Sequence, residues 1–594
     1  MCGIFGYIGK KNAGDQIISG LKRLEYRGYD SWGIAVQKGQ MLKVAKRVGK
    51  ISDLASSQEL ELPVSRIGIG HTRWATHGGV TEVNAHPHFA TDNSFVLAQN
   101  GIIQNFDELK IDLAKKGYQF LTETDTEVIV RLIEEKRKTS KLLREAVREA
   151  FLTLEGRNTI ILLSRDKDEI IAARNGSPLV IGLNEKTGEI FFSSDTLSFA
   201  PSAQKMIVIE NGQLVHFLNG KIHLFDLKTG KEIDFSIEDI NISDDKVDKE
   251  GFDHFMLKEI YEQPFVITQV TKQDKANYQA LAKAITQART VYTVGSGTAG
   301  IAAAQAAYYL RKYGKINAIS LVGADALEYF DFFSPKDLII APSQSGETAD
   351  VLEVLEVAQQ KGMKIASYVN MVGSTMTRIA DYKFLAQAGP EICVMSTKVF
   401  VSQLSFAYLV AKTVAGKYDE GKKYLEELSL AMTDYLSDKK TRQRIENLAT
   451  KLRPVDDIFL MGKGQNFQIM REGMVKLIEG SYKHAHALPA GDLKHYAITL
   501  IEKDVPVIVA LSEDESSSDT LNAANEVKAR GATVIGISEK TDKSFDYFLQ
   551  VKDTGETSSI LHIVPLQLLA YYITVLLNNN VDKPRNIAKS VTVK

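Results

Sequence analysis

The chain opens with Met1-Cys2-Gly3-Ile4-Phe5-Gly6, and the alternating pattern over residues 1–10 predicts a β-strand. Removal of Met1 would give Cys2 both a thiol and a free α-amine. A thiol is mostly protonated at neutral pH, whereas an α-amine with a pKa of about 7.7–8.0 can take its proton. The segment therefore predicts an N-terminal nucleophile for acyl transfer. The structural alternative is a cysteine that simply packs in the first strand of a core.

Three stretches rich in small and polar residues follow between residues 20 and 130, and this composition predicts loops that build a site. They are Tyr26-Arg27-Gly28-Tyr29-Asp30-Ser31-Trp32-Gly33, then His71-Thr72-Arg73-Trp74-Ala75-Thr76-His77-Gly78 with Asn84-Ala85-His86-Pro87-His88, and finally Gln99-Asn100-Gly101. An Asn-Gly pair ordinarily marks a tight hairpin turn. Beside a thiolate, however, the Asn100 amide and the Gly101 backbone N–H are suitable donors for an oxyanion.

Two charged residues in this region suit an α-amino acid. Arg73 could bind a carboxylate through two parallel hydrogen bonds, and Asp125 could bind an ammonium. The alternatives are an ordinary surface arginine and an aspartate that caps a helix.

Together these segments resemble the N-terminal-nucleophile glutamine amidotransferases over residues 2–230. The resemblance implies an α+β N-terminal-nucleophile (αββα) fold and a glutaminase in which Cys2 attacks the side-chain amide of glutamine. It implies that Asn100 and Gly101 stabilise the oxyanion and that Trp74 is a gate between two chemistries. The residues implied to bind glutamine are Arg27, Arg73, Trp74, Thr76, His77 and Asp125. Gln99 stands where the family has His, and Trp32 where it has a small residue.

Composition limits what the rest of the 594 residues can do. The formal charge of −2, with acidic and basic residues intermixed, gives no electrostatic footprint for nucleic acid or an anionic membrane. Two cysteines provide no disulfide framework, and the N-terminus lacks a signal-peptide pattern, so a cytoplasmic protein is expected. The apolar run at residues 563–577 contains Pro565 and falls short of the ~20 residues that span a bilayer. It is predicted to be a buried helix.

The region after residue 240 contains an internal duplication. A strand runs into Gly295-Ser296-Gly297 in the first copy and into Gly462-Lys463-Gly464 in the second. The second predicted strands end at Ser343 and near Ser512, and third strands begin after Gly362 and Gly531. Strands that alternate with helix-length segments predict two tandem α/β units with doubly wound parallel sheets, whose ligands lie at the carboxyl ends of the strands. The predicted domains are 1–240, 241–440 and 441–594, with a linker at Asp244–Gly251.

The stretch Gly295-Ser296-Gly297-Thr298-Ala299-Gly300 fits the dinucleotide-binding pattern G-x-G-x-x-G. We reject that interpretation because the next predicted strand ends in Ser343-Gln344-Ser345-Gly346-Glu347-Thr348, a loop of hydroxyls and backbone donors at the start of a helix. Such a loop suits a phosphate monoester. A plain helix cap would explain one serine but not the whole cluster.

These segments resemble the sugar-isomerase (SIS) fold, and the whole chain resembles the glutamine-dependent enzymes that aminate a ketose phosphate. Further matching segments are residues 254–264, Ser396-Thr397-Lys398 and the tail at 584–593. The resemblance implies that ammonia from L-glutamine passes through the interior to fructose 6-phosphate and yields glucosamine 6-phosphate, the first step towards UDP-N-acetylglucosamine. It also implies a homodimer that uses neither a metal nor pyridoxal phosphate.

The resemblance assigns roles in this second reaction. Glu479 would shuttle a proton between C1 and C2, with Lys476 on the same helical face. His495 would open the ring, and Lys589 would form a Schiff base with the ketose. The alternatives are a surface ion pair, a polar loop residue and a solvated terminal lysine. The residues implied to bind the sugar phosphate are Thr298, Ser343, Gln344, Ser345, Thr348, Val394 and Ala588.

Two positions depart from that pattern. Ala299 replaces a serine, which removes one neutral donor worth about 1 kcal/mol, and Tyr496-Ala497 replaces Gly-Pro after His495. These departures keep open a second enzyme hypothesis, in which the acceptor is a different phosphosugar. A third hypothesis is a sugar-phosphate sensor without isomerase chemistry. It is disfavoured because Glu479, His495 and Lys589 are all present and no helix-turn-helix is evident.

Overall fold

A computed structural model describes residues 2–240 and 248–592 of the chain. Within the described residues the chain forms two compact units, which comprise residues 2–240 with 590–592 and residues 248–589. The predicted strand at the N-terminus is confirmed as Gly3–Ile8. Met1, residues 244–247 of the predicted linker and Val593 of the tail lie outside the described residues.

The first unit consists of two antiparallel sheets and a few helices. Its strands are β1 (Gly3–Ile8), β2 (Ser31–Lys38), β3 (Met41–Val48), β4 (Ile67–Arg73), β5 (His88–Phe89), β6 (Phe95–Gly101), β7 (Asn158–Ser164), β8 (Glu169–Asn175), β9 (Leu179–Leu183), β10 (Ile190–Ser193), β11 (Lys205–Ile209), β12 (Gln213–Leu218), β13 (Lys221–Asp226), β14 (Glu232–Ile233) and β15 (Glu238–Asp239). Its helices are α1 (Ala13–Leu24), α2 (Phe106–Lys115), α3 (Asp125–Arg137) and α4 (Leu143–Phe151).

These elements stack as helix, sheet, sheet and helix. One sheet has the order β15-β11-β9-β10-β1-β4-β2-β3 and the other β14-β13-β12-β8-β7-β6-β5. Successive side chains of a strand face opposite ways, so Ile4 enters the core between the sheets while Phe5 packs against α1. In the second sheet Val96 faces the first sheet, and Leu97 packs against α3 and α4. The αββα fold expected for this half is confirmed.

The second unit alternates helices with parallel strands. Its strands are β16 (Val291–Gly295), β17 (Ala318–Val322), β18 (Leu338–Ser343), β19 (Lys364–Val369), β20 (Tyr382–Leu385), β21 (Asp457–Gly462), β22 (His484–Pro489), β23 (Pro506–Ala510), β24 (Thr533–Ser538) and β25 (Tyr547–Gln550). Its helices are α5 (Phe255–Tyr261), α6 (Gln263–Lys272), α7 (Lys275–Gln287), α8 (Gly297–Lys312), α9 (Ala349–Gln360), α10 (Thr375–Ile379), α11 (Lys398–Val414), α12 (Tyr418–Ser437), α13 (Lys439–Leu452), α14 (Phe467–Ser481), α15 (Ser517–Lys528) and α16 (Ser558–Leu576).

The predicted duplication is confirmed by two parallel sheets of identical topology. Their orders are β17-β16-β18-β19-β20 and β22-β21-β23-β24-β25. One detail of the prediction is wrong, because β18 and β23 are the third strands of their sheets and not the second. The edge strands β17 and β22 come before them in the chain. The chain reverses its winding between β16 and β18, which creates the crevice where doubly wound sheets bind ligands.

The apolar run near the C-terminus forms α16, as predicted. Residues 555–576 are long and apolar enough to cross a membrane, but 83% of the most apolar window is buried inside the protein. The helix packs against α13 and α14 and shares their core. The segment is therefore a core helix of the second unit.

Candidate active sites

The Cys2 thiol lies against the backbone of Trp74. Its Sγ donates to the Trp74 carbonyl at 3.5 Å, and the Trp74 N–H donates back to Sγ at 3.3 Å. Burial raises the pKa of the Cys2 thiol above its ordinary value. A thiol in this environment stays neutral at pH 7 and needs a base before it can attack, which is the task that the sequence assigns to the α-amine.

The residues around Cys2 come from strand ends, so the prediction of loops is wrong in part. Ser31 begins β2, Arg73 ends β4 and Gly101 ends β6. The antiparallel pairing of β1 with β4 places Gly3 opposite Thr72. Buried strand ends with small and polar side chains lack the apolar alternation that marks a strand in sequence.

The Asn100-Gly101 pair does not form a hairpin turn. Asn100 and Gly101 pair with Thr159 and Asn158 of β7, and the chain then continues towards α2. Gly101 has φ +135°, and a Cβ there would lie 2.3 Å from the Arg157 carbonyl oxygen. Only glycine fits at this position.

Arg73 and Asp125 are both buried and both interact electrostatically with Cys2. The Arg73 guanidinium donates to the carbonyl oxygens of His77, Gly78 and Gly79, at 2.5, 3.0 and 3.0 Å. Asp125 follows the cap residue Thr124 at the start of α3, where burial raises its pKa. Arg73 is thus not a surface arginine and Asp125 is not the helix cap. A buried positive charge and a buried carboxylate near the thiol suit the two charged groups of an α-amino acid.

The other predicted glutamine-site residues surround this pair. Arg27 is buried, and its Nε donates to the Cys2 carbonyl oxygen at 3.3 Å. The Trp74 ring meets Tyr29 edge to face at 5.6 Å, and His77 packs against Phe106. Thr76, which lies between Trp74 and His77 in the sequence, is exposed to solvent.

The two departures from the amidotransferase pattern are accommodated inside the unit. Trp32 packs in the core beside α1. Both polar atoms of the Gln99 side chain are hydrogen-bonded, because its Nε2 donates to Asn158 Oδ1 at 2.7 Å and its Oε1 accepts from Thr126 Oγ1 at 2.6 Å.

A buried charge cluster on α14 forms the centre of the second site. Lys476 Nζ lies 2.6 Å from Glu479 Oε2 and 3.3 Å from Glu472 Oε1. Lys476 and Glu472 are completely buried, so the alternative of a surface ion pair is wrong. The two carboxylates raise the pKa of Lys476 against the opposing effect of burial, and burial raises the pKa of Glu472 to about 7. Sequence reasoning missed Glu472, although its spacing of four residues from Lys476 places it on the same helical face.

Thr298 joins this cluster to the β16–α8 loop. Its Oγ1 donates to Glu472 Oε1 at 3.0 Å and accepts from Lys476 Nζ at 3.3 Å. A predicted sugar-phosphate residue therefore touches the predicted proton-transfer helix.

The loop from Ser343 to Thr348 connects β18 to α9, as the phosphate-binding prediction requires. Ser343 Oγ accepts from the Gly346 N–H at 2.8 Å, and Ser345 Oγ accepts from the Glu347 N–H at 3.2 Å. Gln344 is half-buried between them. Thr348 is the cap residue of α9, but within the described chain its hydroxyl makes no cap hydrogen bond. The helix N-terminus thus keeps N–H groups that can bind an anion.

Lys589 is buried rather than solvated. Its Nζ donates to Glu391 Oε2 at 2.5 Å and to the Cys393 carbonyl oxygen at 2.6 Å. Ala588 precedes it and is half-buried. The N–H of Val394 donates to the Asp582 carbonyl oxygen at 2.9 Å. The sequence did not indicate that Glu391 belongs to this site, because Glu391 lies far from Lys589 along the chain.

His495 is not bonded to this cluster. It is exposed at the end of the 3-10 helix Ala490–His495. Over residues 248–592 no hydrogen bond or ion pair joins it to Lys476 or Glu479. The neighbouring Tyr496 is 58% exposed.

Comparison with known proteins places both halves in one family. The family model described as "Glutamine amidotransferase domain" matches residues 71–201, and the "SIS domain" model matches residues 284–413 and 451–577. The glutamine–fructose-6-phosphate aminotransferases (isomerizing) of Thermococcus kodakarensis and Pyrococcus horikoshii are 39% and 38% identical to this chain. Each alignment covers 100% of both proteins. The chain belongs to the glutamine–fructose-6-phosphate aminotransferase family.

A solved structure agrees with this membership. The C-terminal domain of glucosamine-fructose-6-phosphate aminotransferase from Francisella tularensis superposes with a TM-score of 0.52 at 30% identity. The match covers 57% of this chain and 100% of that one. The aminotransferase family thus accounts for the SIS topology as well as for the glutaminase fold.

Proposed function

We propose that the protein hydrolyses L-glutamine at Cys2 and transfers the ammonia to fructose 6-phosphate, producing L-glutamate and glucosamine 6-phosphate. The observation that carries this proposal is the full-length match to aminotransferases of that name, which covers 100% of this chain and of each relative. The amidotransferase part of the chain would carry out the glutamine hydrolysis, and the SIS part would carry out the amination.

In the first reaction the Cys2 sulfur attacks the amide carbon of glutamine, while its α-amine takes the thiol proton. The carbonyl oxygen becomes an oxyanion held by the Asn100 amide and the Gly101 N–H. Ammonia leaves with that proton, and water hydrolyses the thioester to glutamate. Arg73 binds the substrate carboxylate with N–H groups beyond those used by the 77–79 carbonyls, since a guanidinium has five donors. Asp125 binds the α-ammonium.

In the second reaction the loop Ser343–Thr348 and Thr298 bind the sugar phosphate. His495 opens the ring, and the Lys589 amine condenses with the C2 carbonyl to give a Schiff base and water. Ammonia then displaces the Lys589 amine from C2. Glu479 moves the proton from C1 to C2, with Lys476 holding its carboxylate in place at 2.6 Å. Lys589 must lose a proton before it attacks, and Glu391 is the carboxylate next to it.

We further propose that the protein is a cytoplasmic homodimer with domains at 1–240, 241–440 and 441–594. The dimer is tested by light scattering of the purified protein, where the mass of one 65.8 kDa chain would contradict it.

The function is tested by incubating the purified protein with glutamine and fructose 6-phosphate and measuring glutamate and glucosamine 6-phosphate separately. Equal amounts of both are expected. Cys2→Ala should abolish both products with glutamine but retain amino-sugar formation from added ammonium. Lys589→Met should do the reverse, retaining glutamate release and losing amino sugar. Glutamate without amino sugar in the wild type would contradict the second half of the proposal.

Ala299 supports one alternative, in which the acceptor is another phosphosugar, because it removes a hydroxyl from the predicted phosphate site. A screen of ketose and aldose phosphates with glutamine separates the two. A higher kcat/KM for any other acceptor than for fructose 6-phosphate would favour the alternative.

A further inference from the structure

Ser194 connects the Asn100 amide to the strand that follows Cys2. It comes directly after β10 and is buried. Its Oγ accepts from the Ile4 N–H at 2.9 Å, and its own N–H donates to the Ile4 carbonyl oxygen at 3.1 Å. The same Oγ lies 2.7 Å from the side-chain amide of Asn100. One hydroxyl therefore links the proposed oxyanion donor to the backbone two residues from the nucleophile.

His71 neighbours this amide and has a defined tautomer. Its Nε2 is 2.8 Å from the Gln99 carbonyl oxygen, which can only accept, so Nε2 carries the hydrogen. Burial lowers the pKa of His71 to about 3, and the ring is therefore neutral. Its Nδ1 is then an acceptor, and no donor in the described part of the chain reaches it.

The Asn100 amide can be oriented in two ways that differ by half a turn about Cβ–Cγ. With Nδ2 towards Ser194, three buried groups lack partners among the described residues: Asn100 Oδ1, His71 Nδ1 and the Ser194 hydroxyl proton. The amide also neighbours the His71 ring as a hydrogen-bonding group. In the opposite orientation all three would be paired, with Ser194 O–H donating to Oδ1 and Nδ2 donating to His71 Nδ1. Buried polar groups are normally paired, and the hydrogen-bond network decides an amide's orientation.

We propose that Ser194 and His71 are positioning residues that fix the Asn100 amide with Oδ1 on Ser194 and its NH₂ group towards His71. One N–H of Nδ2 is held by His71, and the other is left for the oxyanion. The bonds form a directed chain from Ile4 N–H through Ser194, Asn100 and His71 to the Gln99 carbonyl, and each donor polarises the next. This inference rests on the proposed glutaminase function and names two residues that support it.

The kinetic test compares Ser194→Ala with Ser198→Ala. Ser198 is also buried, in the 3-10 helix Thr196–Ser198, but its hydroxyl lies 2.7 Å from both Ser193 Oγ and the Asp195 carbonyl oxygen instead. The readouts are kcat and KM for glutamine hydrolysis, inhibition by glutamate and inhibition by glutamate γ-semialdehyde. Cys2 adds to the aldehyde by forming a C–S bond as the C=O electron pair moves to oxygen, so only this inhibitor probes the oxyanion site.

Ser194→Ala should lower kcat about 10- to 100-fold, since one oxyanion donor is worth about 10²–10³ in kcat. Inhibition by the semialdehyde should weaken by a similar factor. KM and glutamate inhibition should change by less than about twofold. Ser198→Ala should resemble the wild type. An unchanged kcat in Ser194→Ala, or an equal loss in Ser198→Ala, would overturn the assignment of Ser194.

Neutron diffraction from deuterated crystals of the full chain reads the orientation directly. Two deuterons on the Asn100 atom that faces His71, and none on His71 Nδ1, are expected. A deuterated Nδ1 facing Asn100 Oδ1 would overturn the proposal. If the wild type released no glutamate, the proposed glutaminase function would fail and this inference with it. If the wild type is active and Ser194→Ala equals it, only this inference fails.

Discussion

Lys589 Nζ lies 2.5 Å from Glu391 Oε2, and the two side chains are 3% and 0% exposed. The other oxygen of Glu391 accepts from the N–H groups of Thr397 and Val399, at 2.9 and 3.1 Å. Burial alone would raise the pKa of Glu391, but the Lys589 charge and these hydrogen bonds outweigh it, so the pKa is lowered. The carboxylate therefore stays ionised and holds the proposed Schiff-base lysine in place.

Glu391→Gln should abolish amino-sugar formation while glutamine hydrolysis continues. The substitution removes the carboxylate that pairs with the buried Lys589, and breaking a buried ion pair costs about 3–5 kcal/mol. Urea unfolding measures the stability, and the two products are assayed separately. Asp419→Asn is the control, because it breaks an ion pair with Lys275 that is exposed to solvent. Equal destabilisation by both substitutions would contradict the prediction.

Because of Glu472, the free energy of unfolding should fall as the pH rises from about 4.5 to 7. Burial raises its pKa from 4.5 to about 7, although Lys476 opposes the shift. Over this interval the folded state keeps a proton that the unfolded state has released, so stability falls with increasing pH, by a total on the order of 3 kcal/mol.

Glu472→Gln removes this titration, so relative to the wild type it should be more stable at pH 8 than at pH 5. Urea unfolding at both pH values measures the difference, and Glu328→Gln, on an exposed segment, is the control. A difference between variant and wild type that is the same at both pH values would disprove the role of Glu472.

The sequence pattern predicted the features that are determined by residues close together in the chain. The spacing of Lys476 and Glu479 placed them on one face of a helix, and the fold supports this. The loop at Ser343 was predicted at a strand-to-helix junction and is found there. The edge strands β17 and β22 were missed because each is partly exposed, which weakens its apolar pattern.

The features that the sequence did not predict depend on contacts between segments that are far apart in the chain. Ser194 and Ile4 are 190 residues apart and meet only because β10 pairs with β1. Lys589 and Glu391 are 198 residues apart. No local pattern encodes such pairs, since long-range pairing is decided by the packing of the whole unit.

Ala299→Ser should restore the hydroxyl that the family pattern places beside Thr298. A single neutral hydrogen bond worth about 1 kcal/mol corresponds to a KM for fructose 6-phosphate about fivefold lower. The kcat should change little, because the phosphate is bound equally in the ground and transition states. Ala304→Ser, farther along α8, is the matched control. An unchanged KM for Ala299→Ser would show that the phosphate does not approach this position.

Gly101→Ala should impair glutamine hydrolysis and stability together, unlike Gly117→Ala. Both glycines have positive φ, +135° and +92°, so alanine is strained at each by about 1 kcal/mol. Only at Gly101 does the new Cβ meet neighbours, at 2.3 Å from the Arg157 carbonyl oxygen and 2.7 Å from Asn158 Oδ1. The β6 strand end must then shift, and the Gly101 N–H shifts with it.

We therefore expect Gly101→Ala to lower kcat for glutamine hydrolysis about 100-fold, the cost of a misplaced oxyanion donor. It should also destabilise the first unit by more than Gly117→Ala, at which nothing lies within 4 Å of the added Cβ. Steady-state kinetics and urea unfolding measure the two effects. Equal losses in both variants would mean that glycine is needed at residue 101 for its φ alone, and that the close approach of the Arg157 carbonyl does not hold the oxyanion donor in place.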